Sequence, residues 1–148
     1  LPTDVRDGSE DQVRDESIEL QRILDGLSER RVDLALAIID ACRDNPFSRG
    51  TRAIAGRGLA PTSAATGQMI AFSAGTGQQA LDRLGPGDRD PNSLFTRVLL
   101  QEMRVPGVTV DRLIRNVRRK VVDLARTVGH EQVPAIYDQI VGDFYLRR

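Results

Sequence analysis

Two short, unbroken apolar runs constrain this chain more than anything else in it. Leu34-Ala-Leu-Ala-Ile-Ile39 and Met69-Ile-Ala-Phe-Ser-Ala74 are each six residues long. Runs of that length are too short for a buried helix. Lacking polar alternation, they read as strands covered on both faces, the mark of a parallel sheet. Parallel strands need crossover connections, and helices supply them. The expected architecture is therefore a layered α/β domain, a mostly parallel sheet flanked by helices.

Helical periodicity supplies the flanking layers. Ile18, Leu20, Ile23, Leu24 and Leu27 predict a short amphipathic helix over Ser17 to Leu27, ended near Gly26. Leu94, Val98 and Leu99 predict another from Ser93 to Met103. The clearest helix is Asp111 to Arg126, where Val110, Leu113, Ile114, Val117, Val121, Leu124 and Ala125 form one stripe. Gln132-Val-Pro followed by Asp143-Phe-Tyr-Leu146 predicts a turn and a short final strand. Leu1 to Glu16 reads as a polar, extended entry. Two Gly/Pro-rich connections remain, Arg43 to Gly67 and Gly75 to Asn92, and loops this long in a compact domain are often functional.

Length and charge then bound the function. The 148 residues fit one domain over 1–148, large enough for a real core. Lys+Arg and Asp+Glu are both 21, so no net charge draws the chain to nucleic acid or to an anionic membrane. Arg112, Arg115, Arg118 and Arg119 read as a solvated helix face, with a helix-rich adaptor as a minor alternative. Lys120, the only lysine, reads as a matter of composition. No apolar run is long enough to span a bilayer and no signal peptide is evident, so a cytoplasmic location is expected. One cysteine and one histidine exclude a disulfide framework and cysteine-based zinc, and no metal or cofactor is expected. Asp7, Glu10, Asp11, Asp15 and Glu16 lack the spacing of a calcium loop.

Chemistry in an open α/β sheet gathers at the carboxyl ends of its parallel strands. The first run ends there in Asp40-Ala-Cys42-Arg-Asp-Asn-Pro-Phe47. Cys42 is either a small core residue or a nucleophile presented at a strand end. Asp40, two residues earlier, lies on the same side of the pleat. Like charge raises a thiol pKa, so Asp40 would not ionise Cys42. It would instead floor a pocket for a guanidinium, cap a loop, or pair with Arg43.

The run Leu36-Ala-Ile-Ile-Asp-Ala-Cys-Arg-Asp-Asn-Pro-Phe47 resembles the nucleophile strand of bacterial caspase-like peptidases, the group of metacaspases, orthocaspases and paracaspases. Met69-Ile-Ala-Phe-Ser-Ala-Gly-Thr-Gly-Gln-Gln-Ala-Leu-Asp82 is similar to the family's strand and loop beside the substrate cleft. Thr127-Val-Gly-His-Glu-Gln-Val-Pro134 resembles its Thr, Gly and Gln-x-Pro stretch before the last strand. Leu1-Pro-Thr-Asp4 resembles the segment after its His-Gly motif. The resemblance implies a caspase-type layered fold and a Cys-His dyad endopeptidase cleaving after Arg or Lys at P1. Cys42 would be the nucleophile, its N–H part of the oxyanion hole. Asp40 would receive the basic P1 side chain and Asp82 would line the same pocket. Ser73 and Ala74 would pair with substrate as with an added strand.

No histidine precedes Cys42, and His130 matches a variable position of the pattern. The expectation is that the dyad histidine lies upstream of Leu1, on an absent or separately cleaved segment. The alternative is a non-catalytic pseudoprotease that serves as a protein-interaction module. Residues 43–67 would be a processing or active-site loop, with Arg49, Arg52 and Arg57 as self-cleavage candidates beside the plain alternative of a solvated loop. Expected partners are a peptide with a basic P1 residue and the segment supplying histidine. A homodimer through the final strand is left open.

Overall fold

The computed structural model describes residues 18–41 and 64–148. Cys42, Arg43, Arg49, Arg52 and Arg57, the acidic residues from Asp7 to Glu16 and most of the 43–67 loop lie outside them. The elements run α1 (Leu20–Glu29), β1 (Ala35–Ile39), β2 (Gln68–Phe72), α2 (Leu94–Glu102), α3 (Val110–Arg126) and β3 (Ala135–Asp138). The described strands form one sheet in the order β1-β2-β3. β1 and β2 pair in parallel, Ala35 opposite Gln68 through Ile39 opposite Phe72. β3 joins the other side of β2 antiparallel, Phe72 opposite Ala135. The sheet is thus mixed, with the expected parallel pair at its heart.

Strand alternation divides the central strand between two cores. Met69 and Ala71 face α2 and α3, packing with Leu94, Phe95, Val98, Leu113, Ile114, Val117 and Val121. Ile70 and Phe72 face the opposite way and pack on Leu24 of α1. β1 repeats the pattern, Leu36 and Ile38 to one core, Ala37 and Ile39 to the other. Every residue of β2 is buried, whereas β1 is half-buried beyond Ala35. Full coverage of both apolar runs therefore holds for β2, which has a strand on each side.

Two boundaries depart from the sequence reading. α1 does not end at Gly26 but continues to Glu29. A mid-helix glycine costs only about 1 kcal/mol, and this end is held from outside. Gln68 is buried and donates to the Leu24 carbonyl at 2.7 Å and to Ser28 Oγ at 3.0 Å. The chain turns at Arg31, which takes a positive φ of 52°. The final strand lies at Ala135–Asp138, directly after Pro134, and not at Asp143–Leu146. Residues 143–146 make an isolated bridge, Thr109 to Tyr145, and fasten the start of α3 through Val110 N–H to the Phe144 carbonyl at 2.8 Å. The turn residues expected around Pro134 thus lead straight into the sheet, since Ala135 and Ile136 each have a core to fill.

Two glycines shape the ends of these elements. Gly67 precedes β2 with φ +83°, and a Cβ there would lie 3.2 Å from the Asp33 carbonyl oxygen. Gly129, with φ +71°, closes α3, and the His130 N–H returns to the Ala125 carbonyl at 3.1 Å. That is the Schellman closure, which a glycine makes without steric cost. No helix among the described residues is long and apolar enough to cross a membrane.

Candidate functional site

Parallel pairing brings the carboxyl ends of β1 and β2 to one edge of the sheet. Asp40 and Ala41 follow β1 there, and Ser73 and Ala74 follow β2. Ser73 is fully buried and joins the two strand ends. Its N–H donates to the Ile39 carbonyl at 2.9 Å. Its Oγ accepts from the Ala41 N–H at 3.1 Å and donates to the Ala41 carbonyl at 3.3 Å. Ser73 therefore fixes the backbone immediately ahead of Cys42. Ala74 is equally buried beside it.

Asp40 is exposed at this edge, and its carboxylate meets the first turn of α2. Oδ2 accepts hydrogen bonds from Ser93 Oγ and from Thr96 Oγ1, the latter at 2.6 Å. Ser93 is also the N-cap of α2, accepting from the Thr96 N–H at 3.0 Å. One hydroxyl thus accepts from the helix and donates to the acid. A carboxylate at a helix N-terminus is favoured by the helix dipole.

The same turn of α2 anchors the loop that carries Asp82. Arg97 reaches the Asp82 carbonyl at 3.5 Å and pairs with Asp88 at 2.7 Å. Asp88 also accepts the N–H groups of Leu84 and Asp90. Its hydrogen bond from Arg97, reinforced by those two N–H groups, holds the Asp88 carboxyl well below the usual carboxylate range. Asp82 itself is exposed. The two acids read from the sequence as one pocket are thereby tied to one turn of helix, Asp40 through its side chain and Asp82 through its backbone.

Glutamines complete the frame. Gln132 is buried, its Nε2 donating to the Ser73 carbonyl at 2.8 Å and its Oε1 accepting from the Leu81 N–H at 3.0 Å. Gln78 Oε1 accepts from Gly75 N–H at 3.1 Å and from Val133 N–H at 2.9 Å. The Gln-x-Pro stretch therefore clamps the loop after β2. His130 is drawn into the same seam, its Nε2 lying 2.9 Å from the Gln79 carbonyl. A carbonyl accepts only, so Nε2 carries the proton there.

Sequence reasoning singled out Asp40, Asp82, Ser73 and Ala74 but not Ser93, Thr96, Gln78 or Gln132 as parts of one site. Ser93 was legible as a helix start. Its bond to a carboxylate 53 residues away was not. Arg118, expected on the solvated face, donates instead to the Pro134 carbonyl at 2.8 Å and braces β3. Among the described residues no group of three or more His, Cys, Asp or Glu side chains stands together as a metal site.

Comparison with known proteins agrees with this architecture. No curated protein sequence matches the chain. Among solved structures it resembles the crystal structure of caspase-1 from Spodoptera frugiperda, with a TM-score of 0.50 and 23% identity. That match covers 75% of this chain and 45% of the insect one, so the chain spans under half the length of that relative and the likeness is one of fold. The caspase-domain family model matches residues 6–145. With nearly its whole length inside that match, the chain belongs to the caspase-domain family.

Proposed function

We propose that this chain is the nucleophile-bearing part of a cysteine endopeptidase that cleaves after arginine or lysine. Family membership supports the peptidase class. The preference for a basic residue rests on one observation, an exposed carboxylate held at the carboxyl edge of the parallel strands. A guanidinium or ammonium entering the cleft would find Asp40 there, with Asp82 on the neighbouring loop.

Cys42 lies two residues beyond Asp40 and one beyond the Ala41 backbone held by Ser73. Its thiolate attacks the scissile carbonyl carbon, and the Cys42 N–H helps hold the oxyanion. A histidine removes the thiol proton and delivers it to the departing amine, leaving an acyl-enzyme that water hydrolyses. His130 stands at a variable position of the family pattern, so the proposal draws that histidine from a segment upstream of Cys42 that is not among these 148 residues. Substrate runs past Ser73 and Ala74. Both residues are fully buried in this structure, and the Ser73 N–H and carbonyl are taken by Ile39 and Gln132, so pairing with substrate at Ala74 requires this edge to open. Arg49, Arg52 and Arg57, close to Cys42 in sequence, are the proposed points of self-cleavage.

The test is turnover of Arg-P1 and Lys-P1 peptides by the full-length protein. Cys42→Ala abolishes it on this reading, and undiminished turnover in that variant refutes it. With no histidine before Cys42 in these residues, the second reading is a pseudoprotease that binds peptides in the same cleft. Peptide binding by wild-type protein without any cleavage selects that reading.

A further inference from the structure

The hydrogen bonds at Asp40 carry a consequence for which basic residue the cleft prefers. A carboxylate oxygen accepts about two hydrogen bonds. Oδ2 of Asp40 already accepts two, from Ser93 Oγ and Thr96 Oγ1. Both hydroxyls donate, because a carboxylate oxygen can only accept, and the Ser93 oxygen accepts in turn from the Thr96 N–H. No described residue hydrogen-bonds to Oδ1, and it is the oxygen taken here to meet the ligand. Arginine draws its advantage over lysine from a fork of two parallel bonds, one to each carboxylate oxygen, whereas lysine presents a point charge that one oxygen satisfies.

We infer that Ser93 and Thr96 are specificity-determining positioning residues: by saturating one oxygen of Asp40 they make the cleft accept lysine nearly as well as arginine at P1. The inference rests on the reading of Asp40 as the P1 acid and adds the device that sets its selectivity. The first turn of α2 thus acts on the substrate through Asp40 and never touches it. Removing one hydroxyl frees a lone pair on Oδ2 and restores the forked geometry, to the gain of arginine alone.

The experiment measures kcat/KM for matched Arg-P1 and Lys-P1 peptides with full-length protein carrying Asp40→Asn, Thr96→Val, Thr96→Ser or Ser93→Gly. The wild-type ratio is expected within about tenfold of unity, and Thr96→Val is expected to raise Arg over Lys by about three- to tenfold, the net worth of one ordinary hydrogen bond. Thr96→Ser keeps the hydroxyl and the wild-type ratio, an outcome that mere loosening of the helix would not separate. Ser93→Gly leaves a residue tolerated at an N-cap and shifts the ratio in the same direction. If Asp40→Asn destroys basic-P1 cleavage while neither Thr96→Val nor Ser93→Gly moves the ratio, the inference alone is overturned. If Asp40→Asn leaves basic-P1 cleavage intact, or wild-type cleaves neither peptide, the underlying reading falls and takes the inference with it.

Discussion

Lys120, the single lysine, reads in the sequence as a trace of composition, yet it has a definite partner. Its Nζ lies 2.6 Å from Glu102, whose side chain is 6% exposed against 48% for the lysine. A nearly buried carboxylate without its cation costs more than the pair contributes. Lys120→Met is expected to destabilise the fold by about 1–2 kcal/mol, the low end of the range because the lysine is half in water. Glu102→Gln, which removes the charge to be matched, is expected to cost less. Urea unfolding of both variants checks the order. No periodicity could have revealed this pair, because it joins two helices by tertiary packing alone.

Asp88 makes a further prediction at the same scale. Its folded pKa lies below that of an unfolded aspartate, near 3.9. Its contribution to stability is therefore fully present above about pH 4 and is lost as pH falls toward the folded value. Asp88→Asn is expected to lower stability at pH 7 and to flatten the acid limb of the stability profile below pH 4. Thermal melts of the two proteins from pH 7 to pH 3 measure this, and parallel profiles would contradict it.

Among the elements, the two apolar runs and the long amphipathic helix were legible because their patterns are local. β1 and α3 fall within about a residue of where periodicity puts them, and β2 starts one residue before its apolar run and ends two residues short of it. β3 was misplaced because Ala135-Ile-Tyr-Asp138 is short and its partner, β2, lies more than 60 residues away. The seam between β3 and the loop after β2 depends on Gln132, a weak motif residue in the sequence and a buried clamp in the fold. Gln132→Leu leaves the Ser73 carbonyl and the Leu81 N–H without their partner. A loss of about 2–3 kcal/mol is expected in chemical unfolding, since each stranded group costs about 1–3 kcal/mol and Leu81 is only partly buried. Ser73→Ala, which releases the Ala41 N–H and carbonyl, is expected to cost about 1–2 kcal/mol in the same assay.

For the molecule as a whole, three layers place one edge of a sheet beside one turn of helix. The layered α/β order was legible, and so was the place of Asp40 at the end of a parallel strand. What was hidden was the way the chain is folded back on that carboxylate. Ser93 and Thr96 meet Asp40, and Arg97 holds the Asp82 loop, through contacts that no spacing in the sequence announces.

The central claim, that Cys42 and Asp40 form one cleft for a basic side chain, is tested most directly by covalent labelling. Full-length protein is treated with an Arg-P1 peptidyl acyloxymethyl ketone, and the adduct is located by peptide-mapping mass spectrometry. The account predicts a single adduct on Cys42 that falls at least tenfold in Asp40→Asn, one charge-assisted contact or more. An unlabelled Cys42, or labelling that Asp40→Asn leaves unchanged, would contradict it.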